Sequence, residues 1–287
     1  MTEAAVHPLV QAGKVAVVPG VYDVLSARMA HRAGFGFAVL TGYGVAASYL
    51  GEPDFGLLTQ TEILDTARRI LNRVPIGLVV DGDTGFGGPL NVQRMVRELI
   101  RMGASGVILE DQTWPKRCGH MRGKDVIDAE EHAAKIRAAV DARGDKPFVI
   151  TARTDAVMTH GLDEAIRRAK LYKDAGATVL FVEGPRTKEE IMRVGRELPP
   201  PLAINLIEGG DTPLFTVEEL QQFGFFSVGF VLSGLFAATH ALERTYRHIR
   251  THASTDAVRD QMMDFPRFVD FIGVQERYAD DEKYRAR

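Results

Sequence analysis

Eight short runs of Val, Ile, Leu and Phe, each followed by an amphipathic segment, predict an α/β chain: a (β/α)8 TIM-type barrel with additional C-terminal helices. Two further observations favour one barrel over two smaller sheets. The runs are continuous rather than alternating, as strands buried on both faces are. No Pro/Ser-rich linker or shift in composition divides the 287 residues. The expected strands are 15–18, 37–40, 76–80, 106–109, 148–151, 179–182, 202–205 and 226–231. Between them, helical periodicity predicts helices over 23–32, 61–72, 91–102, 129–142, 162–175, 187–198 and 216–223. Thr61, Thr187 and Thr216 have the chemistry of N-caps, and Gly103, Gly144 and Gly176 suit helix exits. The uncharged stretch 220–242 is long enough to span a bilayer, but its β-branched first half and Ala-rich second half read as a buried strand followed by a helix. The division expected is a catalytic barrel over 1–250 and a helical tail over 251–287. Phe265, Phe268, Phe271 and Ile272 in that tail need a surface to bury them, on this barrel or on a neighbouring subunit.

Composition narrows the function. Hydrophobic residues at 45% and charged ones at 25% exclude disordered and fibrous classes. Thirty-five Lys and Arg against 38 Asp and Glu leave a net charge of −3 without a basic block, so nucleic acid is not the expected partner and a small molecule is. A single cysteine, Cys118, forbids an intrachain disulfide, and the N-terminus lacks a cationic start and apolar run. A cytoplasmic, non-membrane protein is the expectation.

Active sites of parallel barrels lie at the C-terminal strand ends, and polar residues gather there. They are Thr41-Gly42-Tyr43, Asp81-Gly82-Asp83, Glu110-Asp111-Gln112, Arg153-Thr154-Asp155, Glu183 and Asn205. Asp81 and Asp83, two positions apart, would share one side of an extended segment and form a hard-oxygen cluster with Glu110. With no matching His or Cys, such a cluster suits Mg2+ or Mn2+ better than Zn2+. The structural alternative has Asp81 or Asp83 capping the helix near Asn91 or pairing with Arg153. The glycine-rich 84–88 matches neither a P-loop nor a dinucleotide fingerprint. In Pro115-Lys116-Arg117-Cys118-Gly119-His120, two cations and a histidine flank a thiol, a setting that favours the thiolate. Lys116, Arg117, Arg122 and Lys124 with Gly119 and Gly123 describe a basic loop able to close over an anion.

Together these motifs resemble the isocitrate lyase and phosphoenolpyruvate mutase superfamily along nearly the whole chain. The likeness rests on Pro-Gly-Val-Tyr-Asp at 19–23, Thr-Gly-Tyr at 41–43, Pro-Asp-Phe-Gly at 53–56, Asp-Gly-Asp-Thr-Gly at 81–85 and Leu-Glu-Asp-Gln at 109–112. It continues with Lys-Arg-Cys-Gly-His at 116–120, Ala-Arg-Thr-Asp at 152–155 and Asn-Leu-Ile-Glu-Gly-Gly at 205–210. The Cys-Gly-His loop marks the lyase branch. Trp114, Met121 and 129–136 resemble the group of 2,3-dimethylmalate lyases and petal death protein-like enzymes, which cleave 2-substituted malates and oxaloacetate.

The resemblance implies a Mg2+-dependent carbon–carbon lyase with Asp81, Asp83 and Glu110 at the metal, directly or through water. Thr41, Gly42 and Tyr43 would hold the 2-oxo-acid carboxylate, although Tyr43 on its tight turn could instead pack. Asp54 would sit near the metal shell, Arg153 would face the oxyanion, and Glu183 and Asn205 would position the departing half. Cys118 would protonate the enediolate, with Lys116, Gly119 and His120 beside it. Phe236 stands where methylisocitrate lyases carry a carboxylate-binding arginine, which points to a dicarboxylic 2-alkylmalate. Val231 in place of a proline and Gly82 in place of alanine are further departures, both touching pocket shape. Oxaloacetate hydrolysis, methylisocitrate cleavage and carboxyphosphonoenolpyruvate-type rearrangement are the alternative activities; a barrel used only as a scaffold is the non-enzymatic one. Family habit implies a homotetramer that exchanges a C-terminal helix.

Overall fold

The computed structural model describes residues 15–119, 123–210 and 212–285. Eight strands follow one another around a closed parallel barrel: β1 Ala16–Val21, β2 Phe37–Leu40, β3 Gly77–Asp81, β4 Gly106–Glu110, β5 Val149–Thr154, β6 Val179–Val182, β7 Leu202–Asn205 and β8 Phe225–Phe230. The seam closes by pairing Ala16 with Ser227 and Val18 with Gly229. Every expected strand is present. β5 runs three residues further than the apolar pattern suggests, because Ala152, Arg153 and Thr154 still pair with β6 or β4 despite their polarity.

The connecting helices are α1 Val24–Arg32, α2 Gly42–Val45, α3 Gln60–Leu71, α4 Pro89–Met102, α5 Ala129–Arg143, α6 Val157–His160, α7 Leu162–Asp174, α8 Lys188–Glu197 and α9 Val217–Gln222. A π turn, Ala46–Leu50, extends α2. Thr187 and Thr216 are N-caps as expected. Thr61 is not. The cap of α3 is Thr59, whose hydroxyl accepts from the Glu62 N–H while the Glu62 carboxylate accepts from the Thr59 N–H. That reciprocal capping box satisfies two helix-end donors, so the helix begins one turn-position earlier than the sequence pattern places it.

Two apolar layers follow from strands buried on both faces. Inside the barrel, Val79, Val149 and Val179 pack with Phe37, Ile108 and Phe226. Outside, Leu40, Leu78, Val80, Leu109 and Ile150 meet helix residues such as Ile63, Met95, Leu99 and Ile136. At about 25 cal/mol per Å2 of apolar surface removed from water, this double burial is the main stabilisation of the fold. The 220–242 stretch resolves into β8 and the start of α10, Ser233–His252. Among the described residues, no helix is long and apolar enough to cross a membrane.

The chain divides into two compact units, 1–235 and 236–287. The second comprises most of α10, a 3-10 turn Asp256–Gln261, α11 Phe265–Ile272 and α12 Val274–Tyr284. It keeps Val258 and Phe271 buried but leaves Leu242, Tyr246, Phe265, Phe268 and Tyr278 exposed.

Candidate active site

A cleft at the C-terminal strand ends gathers Thr41, Tyr43, Asp54, Asp81, Glu110, Lys116, Cys118, Gly119, Arg153, Glu183 and Asn205. Its empty volume, open mouth included, is ≈ 520 Å3. Nearly every sequence-predicted residue of the first unit therefore converges on one place, because each follows a strand of the same barrel. Gly42 lies against the acids rather than on the cleft wall. Its N–H donates to Asp81 Oδ2 at 3.1 Å, so that donor is committed to the acid and not available to a carboxylate. His120, Met121 and Arg122 lie outside the described residues. Phe236 belongs to the second unit and is 38% exposed.

Asp81 and Asp83 do meet, although not by strand alternation. β3 ends at Asp81, and Asp83 takes φ = 47°, left-handed backbone that a non-glycine residue adopts only where its surroundings hold it. The turn is fixed by Asp83 N–H donating to Asp81 Oδ1 at 3.3 Å. Gly82 gives it room, since a Cβ there would stand 2.7 Å from Val107 Cγ2. A Cβ on Gly42 would lie 3.1 Å from Asp83 Oδ1 and 3.2 Å from Asp81 Oδ2, so both carboxylates face this glycine. Neither acid caps α4, whose N-cap is Gly88 closed by the Asn91 side chain.

Lys116 inserts its ammonium among the acids, with Nζ 2.7 Å from Asp83 Oδ1 and 2.7 Å from Asp54 Oδ1. Burial alone would lower its pKa, but Asp83, Glu110, Asp54 and Asp81 outweigh that and hold the amine charged, well above its ordinary range. Burial pushes Asp83 up to about 7; Lys116 opposes the rise, while Asp81 and Asp54 add to it. Burial likewise carries Glu110 well above the usual range, against the pull of Arg153 and Lys116. Asp83 Oδ2 and Glu110 Oε1 are buried without a partner, whereas Asp83 Oδ1 is met by the Lys116 ammonium.

Unsatisfied buried carboxylate oxygens are costly, and a hard divalent cation is the group that satisfies them. With Lys116 bonded into the cluster, no three His, Cys, Asp or Glu side chains among the described residues form a closed metal cage. The donor chemistry nevertheless fits Mg2+ or Mn2+ held partly through water.

Arg153 is arranged differently. Its Nε and Nη2 reach Asp155 Oδ2 and Oδ1 at 2.8 and 2.9 Å, a bidentate pair, while Glu110 Oε2 and Glu183 Oε2 each lie 3.4 Å from the guanidinium. Asp111 braces this pair from below. Its Oδ1 accepts the Asp155 N–H at 2.9 Å, and its Oδ2 accepts Thr154 Oγ1 and the Tyr172 hydroxyl at 2.8 Å and Arg168 Nη1 at 3.2 Å. Asp111 and Asp155 stand inside the sequence motifs and Lys124 in the basic loop, but sequence reasoning assigns none of the three an individual role. Their position after strands or in the basic loop was visible, but their mutual contacts exist only once the barrel closes.

The Cys-Gly segment is held over the cleft. Cys118 N–H donates to the Asp54 carbonyl at 3.2 Å, and Arg117 stacks 5.2 Å from the Phe55 ring. A Cβ on Gly119 would stand 2.4 Å from Arg153 Nη2 and 2.7 Å from Glu183 Cγ, so only glycine fits that contact. Cys118 is half-buried. Burial raises the Tyr43 pKa, and Cys118 and Asp54 raise it further. Tyr43 also packs on Ile207, Val231 and Leu232, so it is both wall and polar contact. Val39, Ile108, Phe181, Ile207, Val231 and Leu232 complete an apolar lining.

Known proteins resemble this chain in sequence and in fold. The family described as Phosphoenolpyruvate phosphomutase matches residues 6–250. Petal death protein of Dianthus caryophyllus is 47% identical over 99% of this chain and 89% of its own length. The chloroplastic carboxyvinyl-carboxyphosphonate phosphorylmutase of Arabidopsis thaliana is 43% identical over 97% and 83%. The 2,3-dimethylmalate lyase of Eubacterium barkeri is 40% identical over 96% and 95%. A solved oxaloacetate acetylhydrolase with the inhibitor 3,3-difluorooxalacetate superposes with a TM-score of 0.89 at 38% identity, over 96% of this chain and 94% of the other. With its closed barrel, acid cluster and Cys-Gly loop, this chain belongs to the phosphoenolpyruvate mutase and isocitrate lyase superfamily and is an enzyme of its lyase type.

Proposed function

We propose that the enzyme cleaves the C2–C3 bond of a 2-substituted malate of the 2,3-dimethylmalate or 2-alkylmalate kind. The products are a 2-oxo acid and a carboxylate, and Cys118 is the proton donor. The observation that carries this reading is that Cys118 lines the same cleft as Arg153, Glu183 and the acid cluster. A thiol, a fixed cation and hard acceptors are what a retro-aldol cleavage beside a carboxylate requires.

In that reaction the 2-hydroxyl loses its proton and its oxygen becomes the ketone. The C2–C3 electron pair passes to the departing half as an enediolate. Cys118 gives its proton to C3, and the thiolate recovers one from the proton released at the hydroxyl. A divalent cation, Mg2+ or Mn2+, held by Asp81, Asp83 and Glu110, would polarise the substrate's 2-oxygen and carboxylate. Arg153, whose charge Asp155, Glu183 and Glu110 hold firmly against the cost of burial, faces the developing oxyanion. Lys116 keeps Asp54 and Asp83 in place. Thr41 and Tyr43 contact the carboxylate of the 2-oxo half, and Glu183 and Asn205 orient the departing half. The Gly119 contact with Arg153 and Glu183 brings the thiol over the reacting carbon and shuts out water. His120 completes the proton path in this proposal.

The apolar lining supports an alkyl substituent rather than a third carboxylate. The exposed aromatic residues of the second unit support a homotetramer that exchanges a C-terminal helix; a monomeric mass in solution would contradict it. A panel of malates incubated with Mg2+ and a coupled dehydrogenase tests the activity. Release of a 2-oxo acid, abolished in Cys118→Ser, is expected; folded protein that releases none from any malate sinks the reading. The likeness to oxaloacetate acetylhydrolase favours a second reading, hydrolysis of oxaloacetate to oxalate and acetate with the hydrated ketone in place of the 2-hydroxyl. Oxalate formed from oxaloacetate faster than any malate is cleaved would select it.

A further inference from the structure

Asp155 touches more than Arg153. Lys124, whose side chain is 1% exposed, donates from Nζ both to Asp155 Oδ1 at 3.1 Å and to the Gly119 carbonyl. One carboxylate thus joins the arginine of the strand end to the backbone next to Cys118. It is wholly buried, and every bond it makes is charge-assisted or braced by Asp111. The glycine on the loop side packs directly on the arginine it is linked to. Loop position and guanidinium position therefore cannot vary independently: moving Gly119 pulls Lys124, and moving Lys124 removes a cation that orients Asp155.

We infer that Asp155 and Lys124 are positioning residues that couple the placement of the Cys118–Gly119 backbone to the orientation of Arg153. The inference rests on the lyase reading for its catalytic consequence, but its mechanical half stands apart from it. Neither residue reaches the reacting atoms. Lys124 holds the Gly119 carbonyl and Asp155 transmits that hold to the guanidinium, so the proton donor and the oxyanion partner are placed together.

The test uses the full-length protein and its single thiol. Labelling of Cys118 by a disulfide reagent, such as 5,5′-dithiobis(2-nitrobenzoate), is timed in wild type, Lys124→Met, Lys124→Arg and Asp155→Asn, with a thermal melt to confirm folding. Losing a nearby cation would by itself slow labelling by disfavouring the thiolate, so faster labelling reads release of the loop. Lys124→Met is expected to label about tenfold faster and, in the malate assay, to lose about 100-fold in kcat with KM little changed, the scale of a reacting group misplaced by about 1 Å. Lys124→Arg restores most of both. Asp155→Asn shows the same pair of effects, deeper in kcat. Wild-type labelling together with wild-type kcat in Lys124→Met overturns the coupling, whether or not Asp155→Asn folds. If wild type cleaves no malate, the lyase reading fails, and the labelling rate of Lys124→Met still decides the coupling.

Discussion

The two charged halves of the cleft are built on opposite terms. On the arginine side, Asp111 and Asp155 have hydrogen-bond partners on all four carboxylate oxygens, and Thr154, Tyr172 and Arg168 hold them from below. On the acid side, equally buried Asp83 and Glu110 leave two oxygens, Asp83 Oδ2 and Glu110 Oε1, without a partner. A fully satisfied buried network rigidifies, whereas an unsatisfied one is costly unless something else supplies the charge. The first half is already in its working state. The second has buried acceptors that a divalent cation would satisfy, in keeping with the cation site proposed above.

The largest expected effect separates activity from stability. Asp83→Ala should lower malate turnover on the order of 1000-fold, the scale of a lost charge-stabilising group, at a smaller cost in stability than Asp111→Ala, because Asp54 still pairs with the buried Lys116 ammonium. A loss of stability as large as that of Asp111→Ala would show that Asp83 is the principal partner of Lys116. Asp111→Ala should cost more in stability. It strands Arg168, Tyr172 and Thr154, and urea titration should show a loss of about 3–5 kcal/mol. Cation binding comes next. Because Asp83 is pushed up to about 7, protons compete with the cation there, so Mg2+ affinity measured by calorimetry should weaken up to about tenfold per unit as pH falls below about 7. A pH-independent affinity would move the cation off Asp83.

The smallest effect concerns His132, behind the arginine side. Its ring stands edge-on to Tyr172, with centroids 4.6 Å apart, and neither nitrogen makes a hydrogen bond of good geometry. Burial, then Lys135 and Arg168, hold its pKa down to about 3. Below about 6.5 the unfolded chain binds a proton that the fold refuses. The stability contribution is therefore intact above 6.5 and is lost toward pH 3, at up to about 1.4 kcal/mol per pH unit. His132→Phe should flatten that part of the stability curve; an unchanged slope would assign it to other groups.

Strands were legible in the sequence because double burial writes itself as continuous apolar runs, and the site residues were legible because they follow those runs. Thr59 was overlooked in favour of Thr61 because the capping box depends on Glu62 turning back, which hydrophobic period does not report. The convergence of Asp81 and Asp83 was anticipated for the wrong reason, since a left-handed turn brings it about rather than strand alternation. The links from Tyr172 to Asp111 and from Lys124 to Asp155 span 61 and 31 positions. Pairings at that separation have no local signature, so only the closed barrel discloses them.

That closure also bears on how the protein is made. The seam joins Ala16 to Ser227, about 210 positions apart, so β1 waits for nearly the whole chain before its second neighbour exists. During synthesis an incomplete sheet presents two open edges, the arrangement most prone to pairing with other chains. A ribosome paused before residue 225 would hold a sheet that cannot finish. Release of β8 is thus the step at which a nascent chain stops being a template for aggregation and becomes an enzyme.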